Sequence, residues 1–137
     1  MQDGKIRLAD VKFKAVIVGA VADNAGTLFV MTLLAAALTS AGLSEDEVMS
    51  RMRGTSGLLL GLIIGLGCTV LGGYISGRIA RQDERTHGAL VAVIGMVIAL
   101  IFRDGGDPAW FDIAGFAGML PAGMLGGHLA WQRRMPR

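Results

Sequence analysis

An uninterrupted apolar run from Gly57 to Gly77 constrains this chain more than any other feature of its sequence. The run is 21 residues long, and no charged side chain appears before Arg78. About 20 apolar residues in a helix cross the roughly 30 Å hydrocarbon core of a bilayer. Backbone groups without hydrogen bonds cost several kcal/mol each in that core, so a spanning segment of this kind must be helical. The run therefore predicts a transmembrane helix.

Small residues recur at every fourth position of this run: Gly57, Gly61, Gly65, Thr69, Gly73 and Gly77. In water, each glycine would weaken a helix by about 1 kcal/mol relative to alanine. In a membrane, the same spacing lets a second helix backbone approach closely. We therefore expect this helix to lie at the centre of a bundle and to pack through its glycines.

Three further apolar segments extend this expectation to an all-α fold with four transmembrane helices. The four helices are predicted at about 15–41, 56–77, 87–102 and 112–131, which together form one domain over residues 15–131. The third is short for a span. Gly118 and Gly126 lie on a stripe of small residues in the fourth and are expected to pack against a neighbouring helix. Residues 1–14 and 132–137 form polar, basic tails.

The link between the first two segments predicts a short surface helix. Ser44 followed by Glu47 has the spacing of a capping box, in which each side chain binds the backbone N–H of the other residue. A helix at about 45–53 follows from this motif.

Composition and cysteine usage favour an integral membrane protein over the alternatives. Hydrophobic residues make up 53% of the chain, and glycine occupies 21 of 137 positions. Because the basic residues lie between apolar segments, the net charge of +2 does not indicate a nucleic-acid partner. The single Cys68 is expected to fill buried space. We identify no catalytic nucleophile, phosphate-binding loop, metal site or cofactor site, and we expect no enzymatic activity.

The distribution of Lys and Arg predicts the orientation in the membrane. Ten of the 13 lie in the two tails and in the loop between the second and third segments. The positive-inside rule therefore puts both termini in the cytoplasm. The basic cytoplasmic rim comprises Arg78, Arg81, Arg85, Arg133 and Arg134. We expect the rim only to set the orientation of the protein in the membrane. The alternative is that it attracts anionic lipid headgroups, at about 1 kcal/mol per residue.

Asp23 is the sharpest candidate for a functional residue. It lies about 12 Å into the first predicted helix, near the bilayer midplane. An ionised Asp there costs about 2.5–3.5 kcal/mol, so it needs a partner or a proton. Asn24, Thr27 and Thr69 are the candidate partners. Three interpretations remain open: an ion or proton site, a hydrogen bond that joins two helices, and a bend or water cavity with no ion role.

The two histidines carry less information than Asp23. His87 falls at the start of the third predicted helix and is expected to be solvated. His128 is expected to be an interfacial hydrogen-bonding residue, with a metal or proton role as the alternative. It matches Tyr74 in a faint internal repeat, in which residues 71–75 resemble residues 125–129.

The segment GGYISGRIARQDERTHGALVAVIG, Gly72 to Gly95, resembles small uncharacterised bacterial four-helix membrane proteins of the YrzE-like group. The shared features are a Gly-Gly-aromatic end of the second helix, a short basic loop and a His-Gly-Ala start of the third. The resemblance implies four helices and an unknown function. We expect a multi-pass protein of a bacterial inner membrane. The resemblance covers about 24 of the 137 residues and assigns no site residue.

Two functions follow as expectations. The first is a structural or accessory membrane protein, embedded in the lipid bilayer, that assembles as a homo-oligomer or as a subunit of a membrane complex. The alternative is an oligomeric ion or proton channel, or a small carrier, with Asp23 lining the pathway. A lipid-binding role for the basic rim is a third, weaker possibility.

Overall fold

The described part of the chain is all-helical and contains four helices suited to span a membrane. A computed structural model describes residues 11–103 and 105–135. The helices are α1 (Phe13–Ser40), α2 (Glu45–Arg53), α3 (Thr55–Ala80), α4 (Glu84–Ile101) and α5 (Ala109–Gln132). All but α2 are long and apolar enough to cross a bilayer. These four helices confirm the predicted multi-pass membrane class. The first ten residues of the predicted N-terminal tail and the last two residues of the C-terminal tail lie outside the described residues.

Helices α4 and α5 each begin three residues earlier than their sequence patterns predict. Helix α4 begins at Glu84, three residues before the predicted start, and its 18 residues measure about 27 Å. The third segment is therefore close to bilayer length. Helix α5 begins at Ala109, directly after Pro108, and includes Trp110 in its first turn. In both cases the additional turn contains polar or aromatic residues. Because hydropathy alone leaves such residues out of an apolar segment, it places the start of the helix too late.

Helix α2 starts with the predicted capping box. The Ser44 side chain accepts a hydrogen bond from the Glu47 backbone, and the Glu47 carboxylate accepts one from the Ser44 N–H at 2.8 Å. The hydrogen bond from the Ser44 backbone holds the pKa of Glu47 below its usual range. The motif fixes the start of α2 and so turns the chain between α1 and α3.

Helix α3 is the central element of the bundle. It packs against α1, α4 and α5 and also contacts α2, and its most extensive interface is with α5. Helix α4 packs against α1, α3 and α5. In the described ranges α1 and α5 share no interface. The two helices therefore flank the α3–α4 pair from opposite sides.

In one half of the bundle, the helix backbones approach each other at glycines. A methyl group added at Gly19 would lie 2.6 Å from the Gly72 carbonyl oxygen. One added at Gly123 would lie 2.9 Å from the Ala92 side chain and even closer to the Gly88 carbonyl oxygen. We call this region, residues 13–22, 70–80, 84–92 and 122–132, the closed half. At these glycines the neighbouring helix is too close for a side chain to be added.

The same helices are less tightly packed beyond the closed half, in what we call the open half. No atom of another residue's side chain or of a neighbouring helix lies within 4 Å of a methyl group added at Gly65. At Gly61 the nearest such atom is the Met31 terminal carbon, at 3.5 Å. At Gly118 it is the Leu66 side chain, at 3.0 Å. These contacts are with flexible side chains rather than with backbone.

The remaining glycines expected to pack helices have three different surroundings. Gly57 lies against the last turn of α2, beside the Arg51 and Met52 carbonyl groups. Gly73 faces the backbone of Gly123, and Gly77 would place a methyl group 2.9 Å from the Ala130 side chain. Gly126 faces the backbone of α3 at Val70 and Tyr74.

Replacing a glycine in the closed half should cost far more stability than replacing one in the open half. We expect Gly123→Ala to lower the free energy of unfolding by about 1–3 kcal/mol, because the methyl group overpacks the α4 backbone. Gly65→Ala is the matched control and should leave stability unchanged or slightly raised. Steric-trap unfolding in bicelles measures both. Equal effects of the two substitutions would contradict the division into two halves.

Candidate functional site: an intramembrane carboxylate at the end of a cleft

A cleft of about 260 Å³ runs through the open half between α1 and α5. Its walls come from α1, α3, α4 and α5 and are mostly apolar. The exceptions are the polar residues Asp23, Asn24, Thr27, Thr69 and Asp112. The small residues Gly61, Gly65 and Ala99 line the cleft, and their small size leaves the space between the helices unfilled.

Asp23 lies at the inner end of the cleft, where the closed half begins. It is ten residues into α1, about 15 Å along the helix and hence at mid-depth. The residue is 4% exposed. Two glycines make room for it: a methyl group at Gly72 would lie 2.9 Å from its Cβ, and one at Gly95 would lie 3.3 Å from its Oδ2. The site therefore depends on three helices.

The Thr69 hydroxyl is shared between the Asp23 carboxylate and the backbone of its own helix. Its oxygen lies 3.2 Å from both carboxylate oxygens and 3.1 Å from the Gly65 carbonyl oxygen. A hydroxyl has one proton to donate, so it cannot satisfy both acceptors at once. A proton on Asp23, donated to the Thr69 oxygen, would satisfy all three groups. A cation bound beside the carboxylate would satisfy it equally well.

Asn24 and Thr27, the other two predicted partners, hydrogen-bond within α1. The Asn24 amide donates to the Ala20 carbonyl oxygen at 2.8 Å, and the Thr27 hydroxyl donates to the Asp23 carbonyl oxygen at 3.0 Å. Both side chains line the cleft but serve backbone acceptors. Of the predicted polar residues, it is Thr69 on α3 that contacts the carboxylate.

A second carboxylate lies towards the other end of the cleft. Asp112, in the first turn of α5, forms an ion pair with Arg103 at 2.5 Å, and its side chain is 17% exposed. Sequence reasoning treated Asp112 only as the start of the fourth segment. The pairing of a first-turn Asp with the Arg just after α4 is the signal that could have found it.

The closed half ends in a set of polar contacts that tie α1 to the other helices. The Lys12 ammonium donates to the Ala80 carbonyl oxygen at 2.8 Å, and the Lys12 backbone N–H donates to His87 Nε2 at 3.1 Å. His87 is only 1% exposed, so the prediction that it is solvated is wrong. Its Nδ1 lies 3.0 Å from the Asp83 carbonyl oxygen, and these two bonds satisfy the buried ring.

The five arginines of the predicted basic rim all lie at this end. Arg134 pairs with the buried Glu84 at 3.0 Å and also donates to the Arg81 carbonyl oxygen. Arg85 donates to His128 Nδ1 at 2.8 Å. Sequence reasoning did not identify Glu84, which looked like part of a solvated loop.

Among residues 11–103 and 105–135, no three His, Cys, Asp or Glu side chains are grouped as metal ligands would be. Cys68 is buried and lies beside Gly26, so it fills space between α1 and α3. The chemistry of the site is therefore that of one carboxylate and one hydroxyl.

Thiol labelling tests whether water reaches the cleft. On a Cys68→Ser background, Ala99→Cys should react with a small, charged methanethiosulfonate reagent, because Ala99 lines the cleft. Ala92→Cys is the matched control seven residues earlier on the same helix, where the alanine is 0% exposed, and it should stay unreactive. The reaction requires the thiolate and hence water. Equal labelling of the two positions would contradict an open half beside a closed one.

Comparison with protein-family models, curated proteins and solved structures found no match to this chain. The functional assignment therefore rests on the geometry of the cleft and its carboxylate.

Proposed function

We propose that this protein is a small multi-pass membrane carrier that binds a proton or a small cation at Asp23. The observation that carries the proposal is the shared Thr69 hydroxyl, 3.2 Å from both oxygens of a carboxylate at the inner end of a cleft. When Asp23 is ionised, Thr69 is the one side chain among the described residues that hydrogen-bonds to it, and the Thr69 proton can point to the Gly65 carbonyl oxygen instead. A transported proton or cation supplies the missing charge. No catalytic step is involved.

The cleft has the size and polarity for this task. Its volume of about 260 Å³ has room for several waters, since each occupies about 30 Å³ in the liquid. The apolar walls disfavour an ion everywhere except beside Asp23, where the carboxylate and the Gly65 carbonyl oxygen offer hard oxygen ligands. Buried ionisable residues in membrane helices that face a cavity often mark ion or proton paths.

The closed half favours a carrier over an open channel. In the described residues the cleft ends at Asp23, beyond which the backbones of Gly19 and Gly72 are in contact. Release on the other side then requires the closed half to separate. The Lys12–His87 and Glu84–Arg134 contacts lie where that separation would begin. A carrier of this kind alternates between two packings of the same helices.

Topology and location complete the proposal. The positive-inside rule assigns the arginine-rich closed end to the cytoplasm, so Asp23 would be reached from the outer side of a bacterial inner membrane. Glycine packing would hold the closed half together in the manner of small-xxx-small interfaces. The resemblance to bacterial four-helix membrane proteins is consistent with this location.

A structural or accessory role in a homo-oligomer or larger complex is the second candidate, and two observations favour it. Asp23 is 4% exposed and already contacts Thr69, so the pair can serve as a bond between helices. Gly67 is exposed, and a methyl group added there would have no neighbour within 4 Å among the described residues, which leaves a face of α3 that a helix from another subunit could approach.

Flux through liposomes distinguishes the two candidates. Reconstituted protein should move protons or monovalent cations down an imposed gradient, and Asp23→Asn should reduce the flux to that of empty vesicles because the amide carries no charge. Asp112→Asn is the matched control, since it removes a carboxylate near the cleft mouth, and it should retain flux. Equal flux for wild type and Asp23→Asn would sink the carrier proposal. A stable oligomer, or a protein that co-purifies with the inactive chain, would then favour the structural role.

A further inference from the structure

The ends of α3 and α5 enclose a second cavity, at the closed end of the bundle. Its volume is about 310 Å³, and its lining consists of Gly77, Arg78, Arg81, Ala130, Arg133 and Arg134. We propose that this cavity, the arginine pocket, binds the phosphate group of an anionic membrane lipid. The proposal is independent of the role of Asp23.

The pocket forms because small residues lie at its base and long arginine side chains lie around it. A methyl group added at Gly77 would lie 2.9 Å from the Ala130 side chain, so α3 and α5 nearly touch at this level. Beyond that contact, arginines extend from both helix ends and surround a space instead of filling it. A phosphate group is compact enough to enter such a space and meet guanidinium groups on several sides.

Several of the guanidinium groups are held in place before any ligand arrives. Arg78 and Arg133 both lie over the Tyr74 ring, with 6.0 Å and 5.8 Å between the guanidinium carbon and the ring centre. Arg134 is held by the Glu84 carboxylate and the Arg81 carbonyl oxygen. Groups that are already ordered lose less entropy when they bind a ligand.

The charge balance leaves the pocket positive. Four arginines line it, and Glu84 is the carboxylate paired with one of them. The C-terminal ends of α3 and α5 each contribute about −0.5 of a charge. An excess of about +2 therefore remains, which matches the one or two negative charges of a phosphate group. The neighbouring cavity beside α4 also contains Arg134 but is lined by Asp83 and Glu84, so it does not suit an anion.

The depth of the pocket favours a lipid over a soluble phosphate. Arg78 lies in the last turn of α3, and the other three arginines lie at or just beyond the ends of α3 and α5. This is the level at which a bilayer places its headgroups. Guanidinium groups bind phosphate oxygens through paired, parallel hydrogen bonds. A lipid phosphate is concentrated at this level by the membrane itself, whereas a soluble phosphate is not.

Lipid retention in native mass spectrometry tests the proposal. The full chain in detergent is titrated with phosphatidylglycerol and, separately, with phosphatidylcholine. Arg78→Gln and Arg133→Gln should each weaken retention of phosphatidylglycerol about five-fold, equivalent to about 1 kcal/mol per charge near the surface. Arg85→Gln is the matched control: it removes the same charge from the same end, but Arg85 contacts His128 and lies outside the pocket. It should change retention less than about two-fold.

Three outcomes would overturn the proposal. Equal loss in Arg85→Gln would show diffuse attraction to the basic rim. Equal retention of phosphatidylcholine would show no selectivity for an anionic lipid. Displacement of the lipid by millimolar inorganic phosphate would assign the pocket to a soluble phosphate instead. Arg133→Lys, which keeps the charge and the fold but loses the paired hydrogen bonds, should retain lipid at a level between wild type and Arg133→Gln.

Discussion

The close approach of three helices around Gly123 is the contact on which the rest of the structure depends. The backbone of α5 lies there against Gly88 of α4 and Gly73 of α3, too close for a side chain to fit between them. Contact of this kind maximises dispersion between backbones, which is the main attraction available to helices in lipid. It also packs the closed half more tightly than the open half, because helix backbones rather than the ends of long side chains meet there.

The cleft and its carboxylate follow from where that contact stops. The open half begins at the level of Asp23, so the carboxylate lies between a packed region and a space lined by apolar side chains. Burial alone would make an ionised Asp expensive. The glycines at positions 72 and 95 provide room for it, and one shared hydroxyl gives it partial satisfaction. A site with a defined shape and incomplete pairing is suited to reversible binding of a proton or cation.

Much of the fold could be predicted from the sequence, because its strongest signals are local. Length and hydropathy were enough to predict a helix from the charge-free run at Gly57 to Gly77 and from each of the three other apolar segments. Residue spacing was enough to predict the Ser44–Glu47 capping box. The selection of Asp23 as a candidate site also followed from its depth alone. Its partner on α3 was one of three possibilities, since spacing cannot decide which helices become neighbours.

The remainder depended on tertiary contacts that no spacing reveals. The buried His87 is hydrogen-bonded to the Lys12 backbone, 75 residues away in sequence, and the buried Glu84 is paired with Arg134, just beyond the end of α5. The regular four-residue pattern on α3 also gave no sign that Gly73 would meet a backbone while Gly65 would face a cleft. That difference is set by how closely the neighbouring helices approach α3 at each level, which is a property of the whole bundle.

Infrared difference spectroscopy of the Asp23 carboxyl tests the central claim most directly. The band of this group is identified as the one that Asp23→Asn removes from the spectrum of the reconstituted protein. If Asp23 lies at the inner end of a wet cleft and holds a proton or a cation, that band should shift when D₂O replaces water or when the cation is exchanged. A band that responds to neither change would show a carboxyl sealed from both sides of the membrane, which would contradict a binding site at Asp23.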